Sequence, residues 1–343
     1  MNKKPKKILV VRNDKLGDFM LSYPTFSLLK NALPETEIHA LVQPYTQTMA
    51  SLCEWIDVVQ LDQHINKGLK GAYQLFQLFK KQEYDAVITL YSEPHVGLAA
   101  NLAKIPYRLA PATKLAQVFY NHRLKQKRSR SEQPEFEYNR DLARHYLQEI
   151  NTPIPEYQQP PFLSFSKSIL KETKNNFIST HQLSTKKRLV FLHPGSGGSA
   201  NNLSVSQFAE LAHAIPNKTI WQLVISAGPD EIQPAQHLLN LTKSLQPIIY
   251  HSTSGLEKFA QHIAVANLFI SGSTGPLHIA GALNIPTVGF YTRRRSATCL
   301  RWQTLNTENN RLAFCPPDNA QPEDMHAINI TNCANTISAT FLT

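Results

Sequence analysis

Residues 271–280, Ser-Gly-Ser-Thr-Gly-Pro-Leu-His-Ile-Ala, follow the apolar run Val265 to Ile270 and lead into a helical pattern. A turn of small residues between strand and helix is a seat for phosphate. Its first-turn N–H groups have no intrahelical acceptor, and the helix dipole puts partial positive charge where they point. Ser273 and Thr274 would add hydroxyl donors, and Gly275 removes the side chain that would hold an anion away. The same residue types also serve as simple caps, so this stretch alone does not separate the two uses. A second loop, His193-Pro194-Gly195-Ser196-Gly197-Gly198-Ser199-Ala200-Asn201-Asn202, again joins a strand to a helix. Residues 195–200 match G-x-G-x-x-A, but the next strand pattern ends in Ile225-Ser226-Ala227-Gly228, with no acid for a ribose. Backbone amides approaching a diphosphate are the better reading than a nicotinamide cofactor. After the following strand, Glu231 is placed either to accept from sugar hydroxyls or to sit as a first-turn acid favoured by the dipole.

Proton transfer is the chemistry offered by Arg12-Asn13-Asp14-Lys15-Leu16-Gly17-Asp18, after the first strand pattern. Asp18, on a glycine-bearing loop, can take a proton as a general base. It can equally be the N-cap of a helix starting near Phe19, where the dipole would lower its pKa and keep it ionised. Asp14 competes for the role, or pairs with Lys15 or Arg12. Neither His193 nor His278 is assigned catalysis on residue type alone, and His193 either orients its loop or meets ligand.

These loops need strands and helices to hold them. Ile8 to Arg12, Glu37 to Val42, Val58 to Leu61 and Tyr84 to Leu90 read as strands, with helical patterns near 19–32, 44–53, 68–82 and 134–149. Four prolines within Asn151 to Pro161 break the alternation and mark a linker. A second set follows: strands at Arg188 to His193, Thr219 to Ile225, Ile248 to Tyr250, Leu268 to Ser271 and Thr287 to Phe290, with helices at 204–215, 230–243, 254–264 and 275–283. Repeated β-α alternation implies parallel sheets, here in two α/β domains facing across a cleft. In such sheets ligands bind beyond the carboxyl ends of the strands, where all the loops above fall.

The chain has 343 residues, 42% of them hydrophobic, enough for two cores. Met1 to Lys7 is basic, but only Ile8 to Val11 separates it from Arg12, which reads as a buried strand and not an export signal. No run reaches the roughly 18 apolar residues of a membrane span, so the expected location is cytoplasmic. Cys53, Cys299, Cys315 and Cys333 are widely separated, which supports neither a zinc site nor a disulfide framework. The net charge of +10 is concentrated. From Pro94 to Ser131 there is no acidic residue, while Lys104, Arg108, Lys114, Arg123, Lys125, Lys127, Arg128 and Arg130 are basic, and Arg293, Arg294, Arg295 and Arg301 form a second cluster. Such windows either solvate a face or meet an anionic partner, a phosphorylated acceptor or an anionic membrane at roughly 1 kcal/mol per basic side chain. Absence of interleaved aromatics and of reader motifs argues against nucleic acid.

Five motifs in order resemble glycosyltransferase family 9, the lipopolysaccharide heptosyltransferases. They are Ile8-Leu9-Val10-Val11-Arg12 with Gly17-Asp18 and Tyr23-Pro24-Thr25; Tyr84-Asp85-Ala86-Val87-Ile88; His193-Pro194-Gly195; Gly228-Pro229 with Glu231; and Ser273 to Ala280. The resemblance covers nearly the whole chain. It implies a GT-B architecture of two Rossmann-like domains with parallel sheets, acceptor-binding over 1–160 and nucleotide-sugar-binding over 161–343. The implied reaction is inverting, needs no metal or cofactor, and moves a sugar, heptose from ADP-heptose in the family, to an anionic lipopolysaccharide-core glycolipid at the inner-membrane periphery. It places Asp18 as catalytic base. His193, Gly195, Ser196, Gly197, Asn201, Asn202, Glu231, Ser273, Thr274, Gly275, His278 and Arg293 fall on the donor side, and Arg12, Lys15, Gly17, Arg123 and Lys125 on the acceptor side.

Two departures stand out. The family usually has Asp where this chain has Ser273, and Lys or Arg in the loop where it has Asn201 and Asn202. Arg293, Arg294 or Arg295 is the expected substitute for the missing cation. The same departures leave open another donor sugar, and a non-catalytic nucleotide-sugar or glycolipid binding protein of the same fold.

Overall fold

The computed structural model describes residues 4–63, 68–113, 115–198 and 201–342; Lys114, Ser199 and Ala200 of the sequence reading lie outside them. Two compact units are present, one of Met1–Arg128 with Gln133–Gln159, the other of Ser129–Glu132 with Pro160–Thr343.

The first unit runs β1 (Lys7–Val11), α1 (Leu16–Met20), α2 (Tyr23–Ala32), β2 (Glu37–Val42), α3 (Gln47–Ser51), β3 (Val58–Leu61), α4 (Leu69–Gln82), β4 (Ala86–Thr89), α5 (Pro94–Leu102), β5 (Tyr107–Pro111), β6 (His122–Leu124) and α6 (Glu135–Glu149). Its strands form one parallel sheet in the order β3-β2-β1-β4-β5-β6. Ile8 to Val11 are fully buried, as expected of a central parallel strand covered on both faces. Leu9, Val11 and Val87 pack with Leu75 and Phe79 of α4 and Val96 of α5.

The second unit runs α7 (Lys167–Thr180), β7 (Arg188–His193), α8 (Val205–Ala214), β8 (Trp221–Ala227), α9 (Ile232–Leu241), β9 (Ile248–His251), α10 (Leu256–Ala264), β10 (Leu268–Gly272), α11 (Gly275–Ala282), β11 (Thr287–Phe290), β12 (Arg311–Phe314) and α12 (Ile330–Phe341). Its parallel sheet has the order β12-β11-β10-β7-β8-β9, the same relative order as the first. In both sheets the order reverses between the first and fourth strands, β1/β4 and β7/β10, so each unit has a crevice at that switch point.

The helix expected over 19–32 is two helices, broken at Leu21 and Ser22. Pro24 has no N–H for the Met20 carbonyl and its ring crowds that oxygen, so the chain turns there, with the Ser22 hydroxyl donating to the Phe19 carbonyl at 2.5 Å. The helix expected over 44–53 is a 3₁₀ turn, Pro44–Thr46, followed by the short α3. β5, β6, β12, α5, α7 and α12 had no counterpart in the sequence reading. The β6 and β12 strands are short edge strands, only partly buried, and carry little hydrophobic signal.

The helix after the 193–203 loop starts on a capping box: the Ser204 hydroxyl accepts from the Gln207 N–H at 3.2 Å, and the Gln207 side chain accepts from the Ser204 N–H at 3.1 Å. Ser204→Ala is expected to lower unfolding free energy by about 1 kcal/mol in urea titration; an unchanged midpoint would show that tertiary packing alone fixes this helix start.

Candidate active site

Arg12 leaves the carboxyl end of β1 and is 2% exposed. Its Nε lies 2.8 Å from Asp14 Oδ1, Nη2 2.7 Å from Asp18 Oδ1, and Nη1 3.0 Å from Glu135 Oε1 at the start of α6. Nη1 also donates to Asn139 Oδ1 at 3.1 Å. Glu135 Oε1 takes a second guanidinium, Arg128, at 2.8 Å. Burial by itself disfavours the Arg12 charge, but the attraction of three carboxylates outweighs it and raises its pKa. The carboxylates respond in the opposite direction. Burial, with repulsion from Asp18 and Glu135, lifts Asp14 to about 7 against the pull of Arg12. Burial and Glu135 also raise Asp18, opposed by Arg12 and Lys15.

Lys15 and not Asp18 is the N-cap of α1, so Asp18 lies inside the first turn with its carboxylate on Arg12. Its pKa moves up because desolvation exceeds any dipole effect. Arg12, expected to meet the acceptor, is buried and committed to this cluster. Lys15 is exposed and Gly17 half-buried beside it. Arg123 and Lys125 are exposed on or beside β6, three strand spacings from β1, roughly 14 Å, so they are not gathered around Asp18.

The loop has further supports that the sequence did not reveal. Asn13 Nδ2 donates to Asp62 Oδ2 at 2.5 Å, Gln43 Nε2 to the Asn13 carbonyl at 2.7 Å, and the Tyr45 hydroxyl to the Asp14 carbonyl at 2.8 Å. His95 Nε2 lies 2.9 Å from the same Asp62 oxygen. Asp62, Glu93 and His95 have ligand atoms within 4.8 Å of one another, the spacing of a metal site. Asn13 and His95 both reach Asp62 Oδ2, so that oxygen is already engaged in a hydrogen-bonded network.

In the second unit His193 ends β7, 1% exposed, with Nδ1 3.0 Å from the Ser226 carbonyl and Nε2 3.1 Å from Glu231 Oε2. Glu231 also accepts from the Gly197 N–H at 3.0 Å and the Gly228 N–H at 3.1 Å. The His193 hydrogen bond and these amides hold its carboxyl below the usual range against burial. A Cβ on Gly195 would stand 2.3 Å from Glu231 Cδ, so a side chain there would displace this carboxylate. The Gly197 amide, expected for a diphosphate, is therefore taken, and Glu231 acts as the latch of its loop and not as a first-turn dipole acid. Asn201 Nδ2 donates to the Glu323 carbonyl at 2.9 Å. Asn202 lies against Gly272, where a Cβ would come 2.4 Å from its Oδ1.

Around 271–280 the Thr274 hydroxyl is buried and bonded to Ser271 Oγ at 3.1 Å, so it is not offered to ligand. Ser273 and Gly275 are half-buried at the start of α11, and Pro276 removes one first-turn N–H. Burial pushes His278 down to about 4, which leaves it uncharged at neutral pH; its Nδ1 has no partner among the described residues. Arg293, the expected substitute cation, donates to Asp318 Oδ1 at 3.1 Å and to the carbonyls of Pro317, Asp318 and Ala320. Its two terminal nitrogens are committed to that loop, while its buried Nε has no hydrogen-bond partner among the described residues. Arg294 and Arg295 are exposed.

Two units of one doubly wound strand order, with glycine loops, a carboxylate and a helix N-terminus at the switch points, define an α/β class whose ligands bind at those points. Residues 72–323 match the family model described as glycosyltransferase family 9 (heptosyltransferase). A candidate glycosyltransferase of Haemophilus influenzae is 44% identical over 334 residues, covering 97% of this chain and 96% of its own. Lipopolysaccharide heptosyltransferase 1 of Campylobacter coli is 22% identical over 83% of each chain. The solved structure of Escherichia coli ADP-heptose lipopolysaccharide heptosyltransferase II shares the fold, with a TM-score of 0.76 and 19% identity over 98% of each chain. The chain belongs to glycosyltransferase family 9, and its fold is GT-B.

Arg12→Met is expected to destabilise the protein by about 3–5 kcal/mol in chemical denaturation, since three carboxylates lose their buried partner; a loss under 1 kcal/mol would mean that they neutralise by protonation at little cost. Asp14 supplies a pH test. Its carboxyl is held near 7 in the folded chain against 3.8 ordinarily, so the folded state binds the extra proton and stability falls as pH rises between those values. Asp14→Asn should flatten that fall relative to the unsubstituted protein in urea titrations; parallel curves would show that Asp14 ionises normally.

Proposed function

We propose that this glycosyltransferase moves heptose from ADP-heptose, with inversion and without a metal, onto an anionic lipopolysaccharide-core acceptor. The observation that carries the reading is the buried Arg12–Asp18 pair. Burial raises the affinity of Asp18 for a proton, as a base requires, while Arg12 opposes that rise and aims the carboxylate. In the proposed step the acceptor hydroxyl gives its proton to Asp18 as its oxygen bonds to the anomeric carbon, and the bond to the diphosphate breaks on the opposite face. The first unit takes the acceptor and the second the nucleotide sugar. The Gly275 and Leu277 amides at the start of α11 face the leaving diphosphate, joined by the Ser273 hydroxyl and by Arg294 and Arg295 in place of the committed Arg293. Glu231 shapes the donor loop through His193, Gly195 and Gly197, and Asn202 of that loop bonds to the Pro194 carbonyl and lies against Gly272 of β10.

Names of relatives support the donor: the Escherichia coli neighbour is an ADP-heptose enzyme. On the acceptor side Lys15 and the exposed Arg123, Lys125 and Lys127 supply charge for phosphates or carboxylates. Leu115 and Val118, 88% and 69% exposed, sit three residues apart in a 3₁₀ turn, where side chains eclipse onto one face. Their closeness in sequence to the basic row supports a cytoplasmic enzyme touching an anionic membrane. No helix of the described residues is long and apolar enough to cross one.

Asp18→Asn is expected to lower transfer by about 100-fold or more while ADP affinity stays within about two-fold, read by ADP release and by calorimetry with ADP. Normal turnover would remove Asp18 as base. Turnover lost together with ADP binding would show a structural role only.

A further inference from the structure

The two thiols that the sequence leaves far apart in the second unit come together at one edge of its sheet. β11 and β12 pair in parallel with Phe290 opposite Phe314, and the Tyr291 N–H donates to the Phe314 carbonyl at 2.9 Å, so the two chains leave the sheet side by side. Cys315 is the first residue beyond β12. The chain after β11 runs out through Arg293 to Ser296 and returns in a turn fixed by Trp302 N–H to the Thr298 carbonyl and Arg301 N–H to Thr298 Oγ1, both at 3.1 Å. That turn brings Cys299 into hydrogen-bond contact with Cys315. Both line an open cavity of about 640 Å³ with Thr292, Arg293 and Pro316, and both are only half-buried.

We propose that Cys299 and Cys315 are a redox-modification site, a dithiol that a low-molecular-weight disulfide such as oxidised glutathione converts to an intramolecular disulfide. Their surroundings divide the roles. The Cys299 sulfur accepts from the Cys315 thiol and from the Leu300 N–H, which against burial hold it below the usual thiol range and favour its thiolate. Cys315 is pushed up by its bond to Cys299, by burial and by repulsion from that sulfur, and keeps its proton. Cys299 thiolate attacks one sulfur of the small disulfide, forming a mixed disulfide and expelling one thiolate. Cys315 then gives its proton to that thiolate and attacks the Cys299 sulfur, releasing the second half as a thiolate that takes its proton from water. Two protein thiols are oxidised and one small disulfide is reduced to two thiols. The product ties the 292–299 segment, including Arg293, to the end of β12. Cys53 and Cys333 are internal controls: both are buried, with thiols pushed up by desolvation, Cys333 to about 11.

The test uses the full chain, reduced, freed of reductant, exposed to oxidised glutathione at pH 7, alkylated and mapped by mass spectrometry. A Cys299–Cys315 linked peptide is expected, with Cys53 and Cys333 alkylated only after denaturation. In the unmodified protein Cys299 should react with iodoacetamide about ten-fold faster than Cys333. Cys315→Ser should trap glutathione on Cys299, and Cys299→Ser should trap none. Two unlinked thiols after exposure, or equal trapping by both variants, overturns the proposal. No sugar transfer enters the readout, so its failure leaves the glycosyltransferase reading untouched.

Discussion

A single guanidinium buried at the end of β1 sets the terms for the first unit of this protein. Taking such a charge out of water costs several kcal/mol unless its donors are met, and Arg12 meets that cost with Asp14, Asp18, Glu135 and Asn139. The bonds reach across 123 and 127 residues of chain, so α6 is fastened to the loop after β1 by the same side chain that aims Asp18. Asn139 adds a second tie through the Leu21 carbonyl, at the break between α1 and α2 where Pro24 stops the helix. Burial, together with three carboxylates set against only Arg12 and Arg128, makes Asp14 and Asp18 both hold protons more strongly than ordinary carboxyls.

The second unit repeats the arrangement with different chemistry. β7 holds the same place in its sheet as β1 does in the other, and its last residue, His193, is likewise a buried basic side chain that fixes a carboxylate. Here one acid is latched onto glycine amides and not gathered into a cluster. The common element is positional. The end of the first strand lies at the switch point of this strand order, where a side chain can reach loops from both halves of the sheet.

Much of this was legible in the sequence because central strands in parallel sheets are uninterrupted apolar runs. Glu37 to Val42 and Arg188 to His193 coincide with the strands observed, and the two-sheet α/β fold follows from the alternation. Edge strands such as His122–Leu124 escaped because one side of them carries no core. At the site, residue types identified the loops but not the partners. Nothing in the spacing of Arg12 and Glu135 announces an ion pair. Nor does composition distinguish an arginine that awaits a phosphate from Arg293, whose Nη2 is held by carbonyls of residues 317–320 beyond β12. Local sequence also misjudged Asp18, since the helix dipole is readable from position whereas desolvation depends on everything packed around it.

The latch on Gly195 has an entropic consequence. Gly197 and Gly198 adopt φ of +51° and +70°, conformations open to glycine, and an unfolded chain explores many more. With Glu231 bonded to the amides of Gly197 and Gly228 and to His193, that freedom is surrendered when the unit folds. The loop is ordered before any ligand arrives, so a ligand's binding energy need not be diverted into immobilising backbone. The cost is carried by folding stability instead, which makes the glycine loop a place where the demands of folding and of ligand affinity meet in one carboxylate.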